Sequence, residues 1–288
     1  MSRRRAVLAV GATGALLVVG ALVLVAGDGD DGSPRAGPTT SAPVTSAPAP
    51  TTTSAPPDPG EACIADWPVR RQVGQLLAVA VDGGALEAEA ARVAELGAGA
   101  VLLQRATGAG LAEGIVAVKQ AGPIPPLVMA DEEGGEVQTL GAVLGPLPSP
   151  AEVAATLSPA EARDLVGRHA RAVADQGVDV VLGPVVDVAP DDGRGPLGGR
   201  LFGADPAVVT AYAQAYVEAY EAAGVTTVLK HFPGHGAASG DSHEGPVSVP
   251  PSDELRARDL LPYEDLLSRV GAVMVGHLVV PDLTGLAP

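Results

Sequence analysis

Six short, mainly apolar runs separated by helical stretches constrain this chain more than any other feature. The runs are residues 75–81 (QLLAVAV), 99–103 (GAVLL), 126–130 (PLVMA), 178–182, 225–230 and 271–275 (GAVMV). Helical patterns lie between them at 85–96, 111–120, 159–176, 206–223 and 253–268. Ser158 suits the N-cap of the third helix, with Glu161 three residues on. Pro262 should break or kink the fifth. Continuous apolar strands are read as buried on both faces. Their alternation with helices means a parallel α/β sheet. The pattern does not choose between an open doubly wound sheet and a barrel. No Gly-x-Gly-x-x-Gly follows the first strand and no Walker loop occurs, so nucleotide binding lacks support.

The alternation starts only after residue 60. Arg3, Arg4 and Arg5 precede a run of 22 uncharged residues, 6–27. As a helix at ~1.5 Å per residue it can cross a bilayer core. Positive charge before such a run keeps the N-terminus inside and exports the rest. Residues 1–27 are therefore expected to be a signal peptide or an uncleaved signal-anchor, and the protein to be exported, either membrane-anchored or secreted. Residues 28–60 read as a disordered linker, since 33–60 hold eight prolines and ten Ser or Thr in 28 residues. Residues 61–288 form the folded domain.

The net charge is −16, and the first sixty residues hold four arginines against four aspartates. All of the excess therefore lies on 61–288. An acidic domain argues against a nucleic-acid partner, which needs a basic face. The single cysteine, Cys63, excludes a disulfide framework and a cysteine-rich zinc module.

In parallel α/β folds, sites form beyond the C-terminal ends of strands. Four such ends are polar here. The third strand ends in Asp131-Glu132-Glu133-Gly134-Gly135. The fourth is followed by Asp187, Arg194 and Arg200. The fifth ends in Lys230-His231-Phe232-Pro233-Gly234-His235-Gly236 and continues to Asp241-Ser242-His243. The sixth ends at His277. Adjacent residues on a strand diverge, so Lys230 and His231 could grip two parts of one ligand. Asp241 and His243, two apart, would share one side of an extended loop. A carboxylate fixes the tautomer of an imidazole beside it, and the pair can serve as a general acid/base. Glycines 234, 236 and 240 would let the loop move over a ligand. A zinc site of His231, His235, His243 and Asp241 is the rival reading. Pro233 and Gly234 weigh against it, because His-x3-His pairs ligate from a regular helix.

The run from Lys230 to Gly236 followed by Asp241-Ser242-His243 resembles glycoside hydrolase family 3, in its β-N-acetylglucosaminidase branch. Asp131 to Gly135 resembles the branch's Asp-Gln-Glu-Gly-Gly. Gly199-Arg200-Leu201-Phe202-Gly203 resembles its Arg-Ser-Phe segment, and Gly276-His277 its Ala-His. The likeness runs collinearly from about Trp67 to the end.

That resemblance implies a (β/α)8 TIM barrel, here with about six of its eight strands. It implies release of terminal β-linked N-acetylglucosamine, often from peptidoglycan fragments, with retention. His243 would be the proton donor and acceptor, with Asp241 as its partner. Asp131, Arg200, Lys230 and His231 would hold the terminal sugar. No metal or organic cofactor is implied, the partner is a carbohydrate, and the protein is expected to be a monomer.

Three departures from the branch stand out. Glu136 and Thr139 occupy positions where it has arginines. Its nucleophilic aspartate follows the seventh strand, whereas this sequence ends at Pro288, shortly after the sixth. The expectation is a chain truncated before the nucleophile, with weak or absent hydrolysis. Asp282 lies after the sixth strand and is not assigned that role. A non-catalytic wall-associated sugar binder and a metal-dependent barrel hydrolase remain as alternatives.

Overall fold

A computed structural model describes residues 64–106, 108, 110–190 and 195–285. The apolar run at 6–27, the linker at 28–60, Cys63 and Arg194 lie outside the described residues. Among the described residues no helix is long and apolar enough to cross a membrane.

The alternation expected from the sequence is present. Helix α1 (Val69–Gly74) precedes β1 (Ala78–Asp82). Then follow α2 (Leu86–Leu96), β2 (Ala100–Gln104), α3 (Leu111–Gln120) and β3 (Leu127–Ala130). A hairpin of β4 (Glu132–Gly134) and β5 (Val137–Gln138) follows, then α4 (Gly141–Leu144) and α5 (Pro150–Thr156). Next come α6 (Pro159–Asp175), β6 (Val180–Val181), α7 (Pro206–Ala222) and β7 (Thr226–Phe232). The described residues finish with β8 (Val247–Ser248), α8 (Ser252–Ala257), α9 (Leu261–Leu266), β9 (Ala272–Val275) and β10 (Leu278–Val279).

Six strands form one parallel sheet in the order β1-β2-β3-β6-β7-β9. That order follows the chain without a reversal. Val79, Val81, Val101, Leu103, Val128 and Val181 pack on one face with residues of α2, α3, α6, α7 and α9. The other face carries Met129, Val180, Leu182, Val228 and Ala272, with no helix against them among the described residues. A doubly wound sheet reverses its order and places helices on both faces. Helices on one face of an unreversed sheet are the (β/α)8 barrel arrangement, of which six strands are present here. The expectation of strands buried on both faces needs adjustment. Ala78, Ala100, Leu102 and Met274, on the helix-free face, are only partly buried.

Three local differences have plain causes. The first strand begins at Ala78 rather than at 75, because Gln75 caps α1 and its side chain donates to Gly97 O at 2.8 Å. Pro262 opens α9 rather than kinking a longer helix, so the expected helix at 253–268 is two. The Ser158–Glu161 capping box is formed. The same four residues, Ser-Pro-Ala-Glu, occur at Ser149–Glu152 and cap α5, a helix the periodicity did not reveal.

Candidate active site

Lys230 sits near the end of β7 and is the hub of the polar cluster. Its side chain is 2% exposed, and Nζ lies 2.6 Å from Asp131 Oδ1 and 2.5 Å from Glu133 Oε1. Asp131 stands just past β3 and Glu133 on β4, so Lys230 joins the third and seventh strands of the chain. Arg200 donates to Glu133 through Nε at 2.7 Å and Nη2 at 2.8 Å, a bidentate pair. Burial alone would raise the Glu133 pKa. The charges of Lys230 and Arg200 overcome it and hold the carboxyl below its ordinary range. Burial works against the Arg200 charge, but Glu133 and the neighbouring aspartates keep it fully protonated.

His231 leaves the strand in another direction, across a cis peptide bond from Lys230. Its Nδ1 donates to Asp187 Oδ2 at 2.6 Å. Asp187 is completely buried and also accepts from the His231 and His235 backbone N–H groups. Burial would push the Asp187 pKa up, but His231 and these hydrogen bonds lower it. In the neutral His231 ring, Nε2 is then the bare nitrogen, 3.5 Å from Arg200 Nη2.

The dyad stands on the rim. Asp241 Oδ1 accepts from His243 Nδ1 at 2.7 Å and from His243 N at 2.9 Å. Those bonds hold the Asp241 carboxyl below its usual pKa. The two residues meet in a turn, not in the extended loop expected from their spacing, with Glu244 N donating to Asp241 O. The His243 side chain is 77% exposed. Between the dyad and the cluster lies His235, whose Nε2 is 3.1 Å from Ser242 Oγ. Burial lowers the His235 pKa and keeps that ring neutral.

A glycosyl hydrolase family 3 N-terminal domain model matches residues 68–288. The chain belongs to glycoside hydrolase family 3. Beta-hexosaminidase LpqI of Mycobacterium tuberculosis is 45% identical over 225 residues, which is 76% of this chain and 57% of that protein. The chain thus spans little more than half the length of that relative. A family 3 glycosyl hydrolase structure from Mycobacterium smegmatis aligns with a TM-score of 0.70 at 40% identity, covering 78% of this chain and 69% of that one. A family 3 β-N-acetylglucosaminidase structure from Paenibacillus aligns with a TM-score of 0.69 at 26% identity, covering 74% and 43%.

The family 3 fold brings Asp131, Arg200, Lys230 and His231 into one cluster. Asp241 and His243 pair with each other, and Ser242 and His235 link their loop to Asp187. His277 is exposed at the sheet end. Among the described residues no group of three His, Cys, Asp or Glu is placed to hold a metal. His231 Nδ1 is engaged by Asp187 and His235 Nε2 by Ser242, while His243 Nδ1 and Asp241, two of the four proposed ligands, bond to each other.

Sequence reasoning gave no role to Glu133 or Asp187, although both stood at strand ends. A buried acid opposite a buried base is a long-range fact that spacing does not carry. The loop glycines also have a different role from the mobility expected of them. A Cβ at Gly236 would lie 2.0 Å from Val188 O, and one at Gly234 2.6 Å from the Asp259 side chain. Both permit close packing. Asp282 accepts from Ser252 N and Oγ at the start of α8, which accounts for it structurally. Glu136 is exposed at the β4–β5 turn. Thr139 is half-buried, and its N–H donates to Asp131 O at 2.8 Å.

Proposed function

We propose that residues 61–288 bind a terminal β-linked N-acetylglucosamine of cell-wall fragments. In this reading Asp131, Arg200, Lys230 and His231 hold the sugar, and His243 with Asp241 exchanges the proton. The supporting observation is the Lys230 cluster. It sets hydrogen-bonding groups of both signs at the strand ends, with an exposed imidazole–carboxylate pair on the adjoining loop. Asp241 would hold the His243 Nδ1–H, leaving Nε2 to give a proton to the leaving oxygen and later to take one from water. Retention needs a second carboxylate as nucleophile. Asp131 and Glu133 are each in an ion pair, and Asp187 is fully buried and hydrogen-bonded to His231. Turnover by this chain is accordingly proposed to be impaired relative to sugar binding. Export through residues 1–27 and a stalk at 28–60 would place the domain at the wall.

Two measurements on the full chain test this. Calorimetry with N-acetylglucosamine should show binding that Lys230→Met abolishes. Any dye released from a chromogenic N-acetylglucosaminide should vanish in His243→Ala. A protein that neither binds the sugar nor releases dye would end this reading. Binding without His243-dependent release favours a sugar-binding role.

A further inference from the structure

Three acids stand in a row at the end of β3, and the alternation of an extended chain separates them. Asp131 and Glu133 face Lys230. Glu132 faces the opposite way, into the protein, and is 1% exposed. Its Oε2 lies 2.7 Å from His169 Nε2 on α6, and that side chain is 8% exposed. Its Oε1 accepts a very short hydrogen bond from Leu140 N, at the far end of the hairpin. Its backbone carbonyl accepts from Tyr220 Oη on α7 at 3.5 Å. One residue therefore ties both arms of the β4–β5 hairpin to two helices. An uncompensated buried carboxylate is costly, so this anchor is strongly directional.

Gly135 N donates to Leu147 O, Gln138 Nε2 to Gly145 O and Leu147 N to Gln138 Oε1, which tie the hairpin to the segment after it, whereas Glu132 is what ties it to α6 and α7. The hairpin contains two and three residues per strand and an irregular register between Glu132 and Gly134. Yet it carries Glu133, and Asp131 immediately precedes it, the two carboxylates that meet Lys230. We infer that Glu132 and His169 are positioning residues: their buried pair sets the direction from which Asp131 and Glu133 approach Lys230. The role of that cluster in holding sugar rests on the function proposed above; the positioning itself does not.

The chain holds only two lysines, Lys119 and Lys230. That makes acylation by an amine-specific reagent, followed by mass spectrometry, a direct reading of the cluster. Lys119 on α3, paired with Asp179 just before β6, is the internal reference. In full-length Glu132→Leu, Lys230 should be acylated about tenfold faster than in wild type, and N-acetylglucosamine affinity should fall about ten- to hundredfold. Glu132→Gln should restore both. Its carbonyl still accepts from Leu140 N and its amide can donate to His169. A pair that only stabilises the fold would lower the melting temperature of Glu132→Leu yet leave Lys230 labelling at the wild-type rate below it. That result overturns the inference. Should Glu132→Leu not fold, Glu132→Asp shortens the reach while keeping the charge, and faster Lys230 labelling with unchanged Lys119 labelling is again required. If wild type binds no sugar, the function fails while the labelling still decides the positioning.

Discussion

Lys230 Nζ lies 2.5 Å from Glu133 Oε1, and both side chains are essentially closed to solvent. Removing one member of such a pair leaves a buried charge without its counter-ion. Lys230→Met should therefore cost about 3–5 kcal/mol of stability. Arg200 remains on Glu133 and offsets part of this, so the lower end of that range is expected. A shift in urea midpoint measures it. A midpoint within experimental error of wild type would mean that the charges are solvated.

Acid should weaken the fold in two stages. Burial depresses the His235 pKa, so the unfolded chain takes a proton near the ordinary 6.5 while the folded ring resists it. The unfolded state then binds more protons, and stability falls as pH drops below about 6.5. Asp187 and Glu133 are also depressed, from ordinary values of 3.8 and 4.5. Their contribution is fully present above those values and is lost as pH falls through the lower folded ones. Urea midpoints from pH 8 to pH 3.5 should show the first decline and the onset of the second, and His235→Gln should remove the first. A midpoint flat between pH 7 and pH 5.5 in wild type contradicts the burial of that ring.

Strand positions and helix periodicity were legible because they depend on neighbours in sequence. The barrel type was legible only through the resemblance to family 3, not from the alternation itself. Which side of a sheet a helix covers is decided by the crossover, and periodicity is silent on it. The Asp187–His231 and Glu133–Arg200 pairs span 44 and 67 residues, so only the assembled sheet brings them together. His169 looked like an ordinary helix residue until α6 placed it against Glu132. The second Ser-Pro-Ala-Glu box could have been read, since it repeats the first.

Tyr216 points its hydroxyl into the apolar interior between sheet and helices, where it packs edge-on against Phe202 at 5.2 Å. Among the described residues Tyr216 Oη has no hydrogen-bond partner. Removing a buried, unsatisfied hydroxyl while keeping the ring should raise stability by about 1 kcal/mol. Tyr216→Phe in thermal or urea unfolding checks it. A clear loss of stability would show that the hydroxyl is bonded in solution.

The loop glycines give the sharpest contrast between packing and mobility. At Gly236 an added Cβ would meet Val188 O at 2.0 Å, and backbone cannot swing aside as a side-chain tip can. Gly236→Ala should cost about 1–3 kcal/mol or more. It should also displace His235 and loosen the Ser242 link that holds the dyad loop. At Gly240 the nearest atom to a new Cβ is Val247 Cγ1 at 3.6 Å, an ordinary contact. Gly240→Ala removes freedom from the unfolded chain and should be neutral or stabilising by about 0.4–1 kcal/mol. Melting temperatures of the two variants separate the readings. If both glycines served loop motion alone, both variants would match wild type or exceed it.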